Sequence, residues 1–190
     1  MRAVFAACVT VRGLLIIAAI AGALQLTSSL VLAPQYREIT GFAPFDLQSR
    51  LSPFMIGVEL GAFEKAAAAG IYRIFAGVDF AAGIVTALLF SVFWTWIFTK
   101  APARMFDFLK RGGVLMLPAY AVVLDAITKV GYARLLGGLN GPGYAETIEF
   151  CATVHRLKFA LIDIRNVVTL ALLVIAAIGL WRSRMPRAQP

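Results

Sequence analysis

Residues 13–33 and 80–98 carry no charged side chain. A helix of about 20 apolar residues, rising ~1.5 Å per residue, crosses the roughly 30 Å hydrocarbon core of a bilayer. This feature limits the fold more than any other. In lipid every backbone N–H and C=O must be satisfied within the protein, which leaves helices and closed barrels. Uninterrupted apolar runs of this length lack the apolar/polar alternation of barrel strands and predict helices. A third smooth run, 167–181, continues a segment that begins with polar residues. The chain is 61% hydrophobic and 15% charged over its 190 residues, and its mean hydropathy is +0.83. Those values exclude a disordered chain, a collagen, a disulfide scaffold and an ordinary cytosolic enzyme.

Four spans are expected, at about 13–33, 75–99, 113–133 and 157–181. The first follows Arg2 and Arg12 and is bounded by Pro34. It is longer than the 7–15-residue core of a signal peptide, and the plausible cleavage point, after Ala33, would precede that proline. A retained helix is therefore expected. The second ends in Trp94, Trp96 and Phe98 before Lys100, an aromatic girdle at the membrane surface. The third contains Asp125 and Lys129, and the fourth carries Lys158, Asp163, Arg165 and Asn166 in its first part.

Net charge is +8. In a multi-pass chain, Lys and Arg near the ends of the spans set orientation, so this charge does not point to nucleic acid. One side of the expected bundle receives Arg2, Arg12, Lys100, Arg104, Lys110, Arg111, Arg182, Arg184 and Arg187. The other receives Arg37, Arg50, Lys65, Arg73, Arg134, Arg156 and Lys158, spread over much longer connections. Both termini are expected in the cytoplasm, in a bacterial inner membrane. The loop over 34–74 then lies outside and holds a helix over 53–69 that starts at a Ser52 cap and Pro53. A short interfacial helix is expected over 102–111, and a flexible turn in the glycine-rich stretch 137–143.

The informative pattern is charge at depth. Counting about 1.5 Å per residue, Asp79 lies about 31 Å from Lys100, Lys129 about 27 Å from Arg111, and Asp125 about 21 Å from Arg111. Arg165 lies about 26 Å from Arg182, and Asp163 about 28 Å. Charged groups in a span are costly against lipid, so they turn inward and pair. Asp125 and Lys129 stand four apart, on one helix face. Lys158 and Arg165 share a quadrant of the last span with His155. An intramembrane network of Asp79, Asp125, Lys129, Lys158, Asp163 and Arg165 is expected, with Asp125 as its deepest carboxylate. Tyr120 and Pro118 on the same span are expected to kink and open that wall.

No residue set points to catalysis or to a cofactor. Cys8 and Cys151, the two cysteines, fall on opposite sides of the expected topology, and there is no CxxC or Cys/His cluster to hold zinc or iron–sulfur. Glu146, Glu149 and His155 crowd one loop at spacings that match no HExxH pattern. A lone histidine at a membrane edge reads as a solvated or hydrogen-bonded residue. No cofactor and no metal is expected. Small residues recur at helical spacing (Ala18 and Gly22, Ala19 and Ala23, Gly77 and Ala81, Gly83 and Ala87), which lets helix backbones approach in lipid. They fit a bundle with surface to spare for a membrane-protein partner or a second copy.

The order Pro44-Phe45-Asp46, then Tyr72 with Asp79, then Asp125, then Leu157-Lys158 resembles a group of small bacterial four-helix membrane proteins. In that group a Pro-x-Asp element follows the first helix, and a tyrosine precedes an aspartate by seven residues. An Asp-x-x-Glu-Asn stretch sits in the third helix, and a lysine opens the fourth. Here Thr128 and Lys129 stand where the group has Glu and Asn, so any shared polar site is altered. The resemblance implies a four-helix fold and no particular activity.

The resulting expectation is an all-α, four-helix transmembrane bundle in a single membrane domain. Its first functional reading is a non-enzymatic accessory or scaffold subunit of a larger membrane complex. The alternatives are a small proton-coupled transporter built on the Asp125 network and a lipid- or quinone-handling enzyme with chemistry near Glu149 and His155.

Overall fold

A computed structural model of the chain describes residues 9–62, 65–98, 116–138 and 143–184, and all regular structure among them is helical. Helix α1 spans Val11–Thr40. After a 3-10 turn at Phe45–Leu47 come α2 (Pro53–Ala62), α3 (Lys65–Phe98), α4 (Leu117–Leu136) and α5 (Tyr144–Arg184). Cys8, the 102–111 segment and the centre of the glycine-rich turn lie outside the described residues.

Three of these helices are long and apolar enough to cross a membrane: Val11–Thr40, Ala67–Phe98 and Tyr144–Ile178. The chain is thus an all-helical protein with the elements of a membrane protein. Helix α4 differs, because Asp125, Lys129 and Arg134 interrupt its 20 residues. It packs between α3 and α5 with Asp125 and Lys129 buried, while Arg134 near its end is exposed. Outward faces are apolar instead: Leu15, Leu30, Val123, Val130, Val167 and Leu170 are all exposed.

Local chemistry sets the helix ends. Thr10 caps α1 by accepting the Gly13 N–H at 3.0 Å. Gly41 closes it in the left-handed region, φ 79°. Pro34 does not end this helix, contrary to the sequence expectation. A proline ring clashes with the carbonyl four residues back and supplies no N–H. Here a π-helical stretch, Thr27–Leu32, precedes it and widens the turn enough to carry the chain through. Ser52 accepts the Met55 N–H at 3.2 Å at the start of α2, and the described residues of the expected 53–69 segment, 53–62 and 65–69, are helical. Pro118 sits in the first turn of α4, where its missing N–H is harmless. Helix α5 begins at Tyr144, 13 residues before the expected start.

Side-chain pairings give the relative directions. Ser28 meets Asp79 and Tyr36 meets Tyr72, so α1 and α3 run antiparallel. Tyr132 lies against Tyr72 while Leu117 packs beside Trp94, so α4 also opposes α3. Helix α5 runs with α3, since Lys158 is level with Asp79 through their shared partners and Thr169 accepts the Trp94 Nε1–H at 3.0 Å.

Two apolar cores occupy opposite ends. One gathers Tyr36, Phe45, Leu51, Ile56, Leu60, Tyr72, Tyr132 and Cys151 beneath the 41–62 connection; the other gathers Trp94, Ile97, Phe98 and Leu172. Between them lies a polar layer. From Asp79 to Phe98, and from Lys158 to Ile178, the helices advance about 29 Å and about 30 Å, a full hydrocarbon thickness.

Candidate functional site

Five charged residues from four segments meet in that layer. Lys129 Nζ lies 2.7 Å from Asp79 Oδ2, 3.0 Å from both carboxylate oxygens of Asp125 and 3.3 Å from Asp46 Oδ1. Lys158 Nζ lies 2.9 Å from Asp125 Oδ1 and 3.4 Å from Asp46 Oδ1. Hydroxyls complete the carboxylates. Tyr72 donates to Asp46 Oδ2 at 2.7 Å, and Ser28 donates to Asp79 Oδ1 at 3.2 Å. The side chains of Asp46, Lys129 and Lys158 are 1%, 7% and 5% exposed, which places these charges out of reach of bulk water. Their strength follows from that: charge-assisted bonds in a low-dielectric setting are roughly twice neutral ones.

Helical geometry explains who participates. Asp125 and Lys129 are four residues apart on α4 and share its inner face. Seven residues separate Tyr72 from Asp79 on α3, two turns, so both face inward at successive levels. Asp46 comes from the 3-10 turn and drops onto the two lysines from above. It is held there by Phe45, which stacks on Tyr132 at 4.8 Å between ring centres.

Of the six residues expected from sequence, Asp79, Asp125, Lys129 and Lys158 stand together. Arg165 lines the pocket below, bonded to Asn166 Oδ1 through Nε at 3.3 Å and Nη2 at 3.1 Å. Asp163 is exposed and makes no ion pair among the described residues. Two residues before Arg165 on a helix is about 200° around the axis, so both cannot face inward. Asp46 is the member that depth counting missed, because it sits in a loop. Its signal was the Pro44-Phe45-Asp46 element, and the residues that carried the resemblance (Asp46, Tyr72, Asp79, Asp125 and Lys158) are brought into one site. Tyr120, Glu146 and Glu149 are exposed and stand apart from it.

Above the ions, His155 is fully buried and its Nε2 lies 2.7 Å from the Gln48 carbonyl oxygen. A carbonyl only accepts, so Nε2 carries the proton. Gln48 in turn donates Nε2–H to Glu59 Oε2 at 3.1 Å. Burial pushes the Glu59 carboxyl above its ordinary range, partly offset by that bond. Burial alone would also push Asp46 up. The Lys129 and Lys158 ammonium groups and the Tyr72 hydroxyl outweigh it and hold Asp46 below its ordinary 3.8.

This gives Asp46 a definite pH signature. A carboxyl lowered in the folded state adds stability that is complete above the unfolded value and disappears as pH falls through the folded one. The stability difference between wild type and Asp46→Asn, read from thermal unfolding in detergent, is expected to be constant above about pH 5 and to shrink below about pH 4. A difference that shrinks instead on raising the pH contradicts the assignment.

Below the network a cavity of about 280 Å³ opens, lined by Asp79, Gly83 and Ala87 of α3, Ala121, Val122 and Asp125 of α4, and Lys158, Phe159, Ile162 and Arg165 of α5. Gln25 of α1 closes one side. Its upper end is ionic and its walls apolar, the composition of a small-molecule site. Among the described residues no group of His, Cys, Asp and Glu is arranged to hold a metal ion. Against protein-family models, curated proteins and solved structures the chain has no match.

Proposed function

We propose that the chain is a four-span protein of the bacterial inner membrane, with both termini in the cytoplasm, that acts as a small proton-coupled carrier. The observation that carries this reading is the cavity directly beneath a buried network of three carboxylates and two ammonium groups. A network that served only to register helices has no need of a cavity on its face. One that moves protons needs ionisable groups beside a space that a solute or water can enter. Asp125, which touches both lysines, is the proton-handling carboxylate in this scheme, and Pro118, Ala121 and Val122 form the wall beside it.

The test is proton entry into pyranine-loaded liposomes holding the full chain, with hexanesulfonate, hexyltrimethylammonium and glucose offered in turn. One of these probes is expected to drive proton entry, and Asp125→Asn to reduce it at least tenfold, about 1.4 kcal/mol or more in barrier terms. Wild-type rates in the variant, or no probe-dependent entry in the wild type, ends the reading.

A second reading, as an accessory subunit acting by association, is favoured by one face of α1. Ala18, Ala19, Gly22 and Ala23 are exposed there, and a methyl group added at Gly22 would meet nothing within 4 Å. Such a subunit has no flux for Asp125→Asn to remove, so the same experiment separates the two.

A further inference from the structure

The three cations of the polar layer are not treated alike. Lys129 and Lys158 are each held by carboxylates, whereas Arg165 has none among the described residues. Its guanidinium lies over the Phe90 ring, 4.2 Å from the centroid. Two of its five N–H donors reach Asn166 Oδ1. The other three have no partner among the described residues, and the side chain lines the cavity. Arg165 follows Lys158 by seven residues and so lies about 10 Å deeper along α5. A guanidinium held over an aromatic ring, with three N–H groups unpartnered among the described residues, can take an oxyanion through parallel N–H bonds. At membrane depth an unpaired cation is costly, and an arriving anion removes that cost.

Charge counting adds the second half. Asp46, Asp79 and Asp125 carry three negative charges, and Lys129, Lys158 and Arg165 three positive ones. The empty site is neutral. A bound monoanion leaves one uncompensated negative charge in a low-dielectric space, and one proton taken up by the carboxylate cluster cancels it. The groups facing those carboxylates are Ser28 of α1, Tyr72 of α3 and the two lysines of α4 and α5. Tyr132, His155 and Glu59 stand in the layer above.

We propose that the pocket binds a small organic oxyanion, with a sulfonate, carboxylate or phosphate head at Arg165 and a short apolar body against Phe159, Ile162 and Val122, and that one proton enters the carboxylate cluster with it. The inference deepens the carrier reading and rests on it for the accessibility of the cavity.

The experiment is calorimetric titration of the detergent-purified full chain with hexanesulfonate, an anion that stays ionised, so that any proton bound is the protein's. Titrations in two buffers of different ionisation enthalpy count that proton. The expected result is about one proton per anion, with affinity falling about tenfold per pH unit where the empty site is ionised and the filled one protonated. Arg165→Gln is expected to weaken binding at least thirtyfold, about 2 kcal/mol. Arg165→Lys, which keeps the charge and loses the fork, is expected to fall between the two, and Asp163→Asn to bind as wild type. Thermal unfolding of each variant shows that the fold is kept.

Unchanged binding in Arg165→Gln, equal binding of hexyltrimethylammonium, or uptake of no proton overturns the proposal. Displacement of the sulfonate by phosphatidylglycerol but not phosphatidylcholine assigns the natural oxyanion to a lipid headgroup; displacement by hexyl phosphate alone assigns it to a soluble anion. Normal binding in Arg165→Gln alongside lost proton entry in Asp125→Asn defeats this inference and leaves the carrier reading standing. Arg165-dependent binding without any proton entry does the reverse.

Discussion

Lys129→Met is expected to destabilise the protein by about 3–5 kcal/mol, the loss that follows when one partner of a buried ionic group is removed. The size comes from what the substitution leaves behind. Lys129 Nζ contacts Asp46, Asp79 and Asp125, and without it Asp46 and Asp125 share Lys158 while Asp79 has no ammonium partner among the described residues. Asp79 fares worst, since its remaining partner is the Ser28 hydroxyl. The added variant Asp79→Asn is therefore expected to recover a large part of the loss. The measurement is a double-mutant cycle on thermal or denaturant unfolding in detergent, where contacting residues couple by about 0.5–3 kcal/mol. Wild-type stability in Lys129→Met, or strictly additive effects of the two substitutions, contradicts the network as described.

Gly131→Val is expected to be the most damaging single apolar change, costing about 3 kcal/mol or more by overpacking. Helices α4 and α5 pack tightly where Gly131 faces the buried Cys151. A side-chain carbon added at Gly131 would collide with the Cys151 sulfur. Gly131→Ala is a sharper test. Alanine outperforms glycine in a helix interior by about 1 kcal/mol, so a net loss reports the collision and nothing else. The pair Gly131→Ala with Cys151→Ala is expected to return close to wild type, because the sulfur is gone. A stable Gly131→Ala single variant would show that the helices do not meet there. The same displacement would part Asp125 from Lys158, six residues before Gly131 and seven after Cys151, and hexanesulfonate binding is expected to weaken with stability.

The apolar runs at 13–33 and 80–98 and the smooth half of α5 were legible because their length alone answers to bilayer thickness. The inward position of Asp79, Asp125, Lys129 and Lys158 was legible for a different reason: charge in a span has few places to go. What stayed hidden depended on tertiary contacts. Residues 144–156 mix Glu146, Glu149 and Arg156 with apolar positions and show no run, yet they are helical because Ile148, Cys151, Ala152 and His155 pack under the 41–62 connection. Asp46 lies 83 residues from Lys129 along the chain, in a turn that no periodicity describes. Asp163 and Arg165 were grouped by depth, and depth says nothing about azimuth. Pro34 was read as a stop because the relief of its clash lies in a π turn, which hydropathy does not register.

That π turn has a consequence for the first helix as a whole. A single residue more than a regular α-helix would accommodate changes the phase of everything before it by about 100°. The amino-terminal half of α1 therefore presents a different stripe to its surroundings than its carboxy-terminal half would dictate. Ser28, Leu32, Tyr36 and Thr40 keep to the inner face, four residues apart, while Ala18 and Gly22 in the amino-terminal half are exposed. One short irregularity thus lets a single helix answer to two masters, the ionic layer inside and whatever lies alongside it in the membrane.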